Sequence, residues 1–280
     1  MLHDQIAEGR RRLVSAGFTA EEAAIDAEVL ARHVLGWDRA RLFAHGREPA
    51  PDGFTSRFDD AIARRAEREP VALIVGVREF WGRDFAVTRA TLVPRPETEL
   101  IVEEALRGLP AGPATIVDIG TGSGCLAVTL AAERPGVRAI ATDISHEALL
   151  VAAANARRHG VDRRVQFIRT DLADALALRA EIIVSNPPYV PSGSPLAPDV
   201  VDYEPATALF AGPDGLEVIE RLLRQTVDLL APGGVFIVEF GCGQEEAVRD
   251  AAEAEGWTVQ RVVHDLQDLA RIAVLGRTRG

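Results

Sequence analysis

The chain has 280 residues, 47% of them apolar and 26% charged, which is enough for a full α/β domain plus a smaller one. Its net charge is −11, and all 31 of its Lys/Arg positions are arginine, a balance that opposes holding duplex nucleic acid by its phosphates. No apolar run approaches the ~20 residues that span a bilayer, and Met1–Gln5 lacks the plan of a signal peptide, so a cytoplasmic enzyme away from membranes is expected.

Residues 1–70 read as a small helical domain. Thr19-Ala20-Glu21-Glu22 is a capping-box pattern that opens a helix to about His33, with Ile25, Val29, Leu30 and Val34 on one apolar face. A second helix spans about Thr55 to Glu69 and is stopped by Pro70. The segment carries no catalytic constellation, which fits a role in recognising a substrate.

From Val71 to Val93 the pattern alternates around Gly82, as a hairpin linker would. Residues 94–280 then form the third part, opened by Pro94-Arg95-Pro96 and a helix over about 97–107. Strands follow at 115–119, 137–142, 165–169, 181–185, 234–240, 259–263 and 272–275. Five separated strands and a closely spaced pair predict an α/β doubly wound Rossmann-like sheet with an antiparallel edge element from the last strand.

Val117-Asp118-Ile119 runs into Gly120-Thr121-Gly122-Ser123-Gly124 where the first of these strands turns into its helix. Glycines let backbone approach a ligand closely, and ligands of open α/β sheets bind outside the carboxyl ends of strands. Asp143 ends the second strand, where a carboxylate can accept both ribose hydroxyls. A nicotinamide fingerprint would need a third glycine at Cys125. A nucleoside cofactor with a positively charged end fits Asp118 better than a pyrophosphate does.

Asn186-Pro187-Pro188-Tyr189 follows the buried run Ile182-Ile183-Val184-Ser185, so it faces the same crevice. A planar amide or aryl amine is a weak nucleophile because its lone pair is conjugated. The Asn186 side-chain oxygen and the Pro187 carbonyl can each accept one N–H, orienting that nitrogen and favouring the charge it develops on attacking a methyl group. Tyr189 offers a flat face to a planar group. No general base is needed, since the methylated nitrogen loses its proton to water. The motif alone leaves a protein amide and a nucleic-acid amine both open. The unpatterned stretch 190–213 is long enough to cover the crevice or touch the substrate. Cys125 and Cys242 are expected to be interior free thiols, and no metal site is expected.

At these residues the chain resembles the peptide chain release factor N5-glutamine methyltransferases. The likeness lies in Gly76–Trp81, Leu92–Glu99, the glycine loop, Ser185–Tyr189, Tyr203-Glu204-Pro205, Ala208-Leu209 and Gly212–Gly215. It implies that Gly120, Thr121, Gly122, Ser123, Gly124, Asp143, Leu172 and Asn186 contact S-adenosyl-L-methionine, with S-adenosyl-L-homocysteine as product. It also implies that Asn186, Pro187, Pro188 and Tyr189 hold the glutamine of a Gly-Gly-Gln loop in class I release factors, with no nucleic acid as direct substrate. One departure stands near the C-terminus: Asp265-Leu266-Gln267-Asp268 lacks the glycine such proteins often carry there.

Overall fold

The computed structural model describes residues 1–277 and resolves into two compact units. The first comprises residues 1–77 with 197–203, and the second comprises 78–196 with the chain from Glu204 onward.

Five helices make up most of the first unit: α1 (Leu2–Ser15), α2 (Ala20–Leu35), α3 (Arg39–His45), α4 (Phe54–Ala66) and α5 (Val71–Val75). The capping box forms as the spacing predicts. Thr19 Oγ1 accepts from Glu22 N at 3.2 Å, and the Glu22 carboxylate accepts from Thr19 N at 2.8 Å. The buried face of α2 differs from expectation. It consists of Ala23, Ala27, Leu30 and Ala31, packed with Leu13, Phe54, Phe58 and Ile62, while Ile25 is 56% exposed. Ile25 lies two positions from Ala23, on the far side of the helix wheel. The small alanine face seats against bulky phenylalanines instead. Val71–Val75 is also helical rather than extended, so alternation begins only at Val77.

A hairpin of β1 (Val77–Phe80) and β2 (Arg83–Ala86) follows, closed by Trp81 and Gly82, both at positive φ (53° and 67°). That pair of values matches the twist of a two-residue hairpin turn. After a 3₁₀ turn at Pro96–Thr98 comes α6 (Glu99–Gly108), then β3 (Ala114–Ile119), α7 (Cys125–Glu133), β4 (Val137–Asp143), α8 (His146–Arg158), β5 (Val165–Arg169) and β6 (Ala180–Ser185). The chain continues through α9 (Pro198–Val201, part of the first unit), α10 (Glu217–Thr226), β7 (Leu230–Glu239), α11 (Glu245–Ala254), β8 (Trp257–His264) and β9 (Ala270–Arg277).

The sheet has seven strands in the order β5-β4-β3-β6-β7-β9-β8. Strands β3 to β7 pair in parallel, and β9 runs antiparallel to both β7 and β8. The last strand is therefore antiparallel as expected, but it lies inside the sheet and β8 forms the edge. The tight β8–β9 turn returns the chain so that β9 fills the place beside β7. In that turn Asp268 takes φ +61°, and Asp265 Oδ1 accepts from Gln267 N and Leu269 N. An aspartate thus stands where a glycine would be unstrained, a role to which Asp is better suited than most side chains.

Both faces of the sheet are covered. Ile116, Val184 and Ile237 pack with Ile101, Leu126 and Leu130 on one side; Val117, Ile183 and Phe236 pack with Ile219, Leu222 and Val248 on the other. Burial on two sides explains why these strands read as continuous apolar runs. The carboxyl ends of β3, β4, β6 and β7 share one edge of the sheet and carry Ile119, Asp143, Ser185 and Glu239.

Candidate active site

The glycine loop and the Asn186 turn leave the ends of adjacent strands and line one cavity of about 320 Å³. Thr142 O accepts from both Gly120 N (2.9 Å) and Thr121 N (2.8 Å), folding the loop onto the end of β4. Gly120 and Gly122 have φ of +74° and +54°, and a Cβ added at either would meet no atom within 4 Å. Both line the cavity, so the backbone there is bare to a ligand. Asp143 Oδ2 accepts from Gly122 N and Oδ1 from Ser145 N, each at 2.9 Å. Every carboxylate oxygen has two lone pairs, so Asp143 keeps capacity for ribose hydroxyls. Burial raises its pKa, and hydrogen bonds from Ser145, Gly122 and Ile144 oppose that shift.

Leu172 lines the same cavity with φ +48°, and its carbonyl accepts from Thr142 Oγ1 at 2.9 Å. A branched apolar residue in that region is strained, and such strain concentrates where backbone is shaped for a ligand. Asp118 sits beneath the loop, fully buried. Its Oδ2 accepts from Thr121 Oγ1 (2.6 Å) and Ala127 N (3.1 Å), and burial pushes its pKa up to about 6. Asn155 of α8 braces the loop from outside. Its amide donates to Ser123 O and Ala86 O and accepts from Ala86 N, all at 2.8–3.0 Å.

Asn186 and Pro188 line the cavity, with Pro187 buried and Tyr189 half-buried next to them in the turn. Asn186 Nδ2 donates to Thr98 Oγ1 at 2.9 Å, and Thr98 Oγ1 donates to Glu239 Oε2 at 2.8 Å. The other Glu239 oxygen accepts from the Tyr189 hydroxyl at 3.2 Å. Glu239 is 1% exposed, and burial pushes its pKa up to about 7 against the pull of Thr98 and Tyr189. Tyr189 is pushed up as well, first by burial and then by Glu239. Gln244 secures the turn from the far side: Nε2 donates to Tyr189 O (3.0 Å) and Asp214 O (3.2 Å), and Oε1 accepts from Gly241 N.

The stretch 190–213 supplies another wall through Pro205, Thr207, Ala208 and Phe210. It is tied down by Glu204, a buried carboxylate that accepts from Arg95 Nη2 at 2.6 Å and from Val93 N at 3.1 Å. Asp171 and Arg221, 2.6 Å apart, complete the rim.

The sequence matches two family models, the PrmC N-terminal domain over residues 4–76 and the methyltransferase small domain over 98–201. The release factor glutamine methyltransferase of Cereibacter sphaeroides is 46% identical over 264 residues, covering 93% of either chain. The protein of the same name from Escherichia coli is 38% identical over 269 residues, covering 95% of this chain and 96% of that one. The chain belongs to the release factor glutamine methyltransferase family. In fold it also resembles the catalytic domain of hMettl16, solved in complex with MAT2A 3′UTR hairpin 6, with a TM-score of 0.57 over 75% of this chain and 80% of that one; at 16% identity the likeness is of fold alone.

Several motifs of the family acquire reasons here. Glu99 Oε1 accepts from Trp81 N (2.8 Å), joining the hairpin turn to the start of α6, and Glu204 answers Arg95. The structure brings together on the cavity wall Gly120, Thr121, Gly122, Ser123, Asp143, Leu172, Asn186 and Pro188; Gly124 caps α7 instead. Sequence reasoning missed Thr98, Glu239 and Gln244. Glu239 had one visible signal, a carboxylate at the carboxyl end of the apolar run Val235–Val238. The thiols depart from expectation: Cys242 is exposed and Cys125 half-buried, because the loop after β7 carries Cys242 out of the core. Among the described residues no group of His, Cys, Asp and Glu is placed to hold a metal, and no helix is long and apolar enough to cross a membrane.

Proposed function

We propose that this chain transfers a methyl group from S-adenosyl-L-methionine to the side-chain amide nitrogen, N5, of the glutamine in the Gly-Gly-Gln loop of class I peptide chain release factors. The observation that carries this reading is Asn186, its amide oriented by an N–H bond to Thr98, on the wall of the cavity that the glycine loop also lines.

Gly120 to Gly124, Asp143, Leu172 and Asn186 would hold the cofactor, and the bare backbone at Gly120 and Gly122 fits such a ligand. Bound there, it supplies a methyl group made electrophilic by a sulfonium. The residues of the chain do the rest by positioning. With one N–H of Nδ2 held by Thr98, which fixes the direction of the amide, Asn186 offers Oδ1 as an acceptor, and the Pro187 carbonyl offers a second. A primary amide has two N–H donors, so two acceptors fix the direction of its nitrogen and favour the positive charge that grows during attack. Pro187 holds φ, and the Tyr189 ring gives the amide plane a surface to lie on. The proton leaves to water after transfer.

A glutamine flanked by glycines can enter a narrow crevice without the unstacking cost of a flipped base. The charge of −11 likewise works against a phosphate-bearing substrate. Because the cavity-lining residues all belong to the second unit, we assign substrate choice to the helical first unit, residues 1–70 in outline. Phe43, 85% exposed on that unit, is a natural probe: Phe43→Glu should raise KM for the release factor at unchanged cofactor affinity, and an unchanged KM would refute that assignment.

The deciding experiment is incubation with labelled S-adenosylmethionine and a class I release factor, followed by mass mapping. Label on the loop glutamine, lost when that glutamine becomes alanine, is expected. Label on adenine of RNA or DNA, with the release factor left untouched, would overturn the reading.

A further inference from the structure

We infer that Glu239 is a positioning residue that sets, through Thr98, which end of the Asn186 amide faces the substrate. The inference rests on the reading that Asn186 Oδ1 accepts a substrate N–H.

The two ends of an asparagine amide have nearly the same shape, so packing barely distinguishes them, and hydrogen bonding must choose. At Asn186 the choosing partner is the Thr98 hydroxyl, 2.9 Å away. A hydroxyl has one proton and can face either way. Thr98 gives its proton to Glu239 Oε2 at 2.8 Å, which leaves only lone pairs toward Asn186. Only Nδ2 can then face Thr98, and Oδ1 is left for the substrate.

The direction of this relay originates at Glu239. Both its oxygens receive O–H donors, from Thr98 and from Tyr189, which calls for an acceptor-only carboxylate. A neutral side chain there would have one atom that donates. Either Thr98 or Tyr189 would lose its acceptor, and a released Thr98 could turn its proton on Asn186 and rotate Oδ1 away from the cavity. Glu239 itself does not line the cavity and is 1% exposed, so it acts through its neighbours rather than on the substrate. Its partners are remote in sequence: Thr98 stands 141 positions before it and Tyr189 stands 50 before it.

The test combines kinetics with the side-chain amide 1H–15N resonances of Asn186 in the full chain, assigned by their loss in Asn186→Asp. Glu239→Gln is nearly isosteric but offers one acceptor in place of two. It should lower kcat by roughly tenfold to a hundredfold, as small misplacements of reacting groups do, with little change in cofactor affinity. Thr98→Val should do the same, and Thr98→Ser, which keeps the hydroxyl, should restore most of the rate. Glu239→Gln should also move the Asn186 amide resonances in the parental background but not in Thr98→Val, because Thr98 carries the coupling. Parental kcat in Glu239→Gln, or a resonance shift that persists without the Thr98 hydroxyl, would overturn the inference. A parental chain that leaves the release factor unmodified would sink the functional reading instead. The amide resonances, read without substrate, would still judge the relay.

Discussion

The glycine loop and the Asn186 turn leave neighbouring strands, β3 and β6, and line the same cavity, yet they are held in opposite ways. The loop is shaped chiefly by its own backbone, with positive φ at Gly120 and Gly122 and two N–H bonds to Thr142 O, and is braced by Asp118, Asp143 and Asn155. The turn is shaped by side chains that arrive from far away, namely Thr98, Glu239 and Gln244. A loop built from backbone should tolerate change in its surroundings but not in its own residues. A turn built from a side-chain network should be sensitive to residues that never touch a ligand.

The sharpest way to break this contrast is Asn186→Ala. Loss of one preorganised acceptor should cost roughly a hundredfold to a thousandfold in kcat, with a melting temperature close to that of the parent. More than half the parental turnover would remove Asn186 from the chemistry. On the loop side, Asp143→Ala should weaken S-adenosylmethionine binding by about 1–3 kcal/mol, through lost ribose contacts and through the freed Gly122 N–H. Isothermal titration giving the parental Kd would mean that the backbone alone suffices.

The third prediction sharpens the contrast with pH. Burial, helped by nearby Glu97, pushes the Glu239 pKa up to about 7 against the opposing pull of Thr98, Tyr189 and Arg271. The relay needs the ionised form, so kcat should fall about tenfold per unit below pH 7 and level off above it, and this acid limb should be missing in Glu239→Gln. The effect on stability has the opposite sign. An unfolded glutamate titrates at 4.5, so between pH 4.5 and 7 the folded state binds the proton more tightly. As pH rises across that window, unfolding free energy should drop by about 3 kcal/mol relative to Glu239→Gln, and stay flat above it. Urea melts of both proteins at pH 5 and pH 8 would measure the difference, and parallel curves would contradict it.

How far the sequence could be read follows the same contrast. The strand-end rule placed Gly120–Ser123, Asp143 and Asn186 on the cavity wall because each depends on its own strand and the turn after it, whereas Gly124 went to the cap of α7. Thr98 lay in a legible motif, Pro96-Glu97-Thr98-Glu99, but its partner Asn186 is 88 positions away, and no local pattern records such a pairing. The position of β9 was hidden for a related reason. A tight turn says that two strands are neighbours but not which of them meets β7. Ile25 misled because hydrophobicity was weighed above the smallness that lets α2 pack its alanines against phenylalanine rings. The smallest prediction belongs to the turn where the family resemblance pointed to a missing glycine. Asp268→Gly should stabilise the fold by up to about 1 kcal/mol in denaturant titrations, since glycine reaches φ +61° without a Cβ penalty. A loss of stability would show that Asp268 contributes through its side chain.

Gly215, after β6, places a different kind of limit on the molecule. A Cβ there would lie 2.2 Å from the carbonyl oxygen of Tyr189, and the residue already sits at φ +80°. Even alanine would have to push back the turn that carries Asn186. In a saturation library selected for methyl transfer, position 215 should accept one codon family and reject every other, although its residue contributes no side chain to the chemistry. Selection on a reaction is then felt as selection on empty space, and a catalogue of tolerated substitutions would point to the Tyr189 carbonyl without any ligand having been seen.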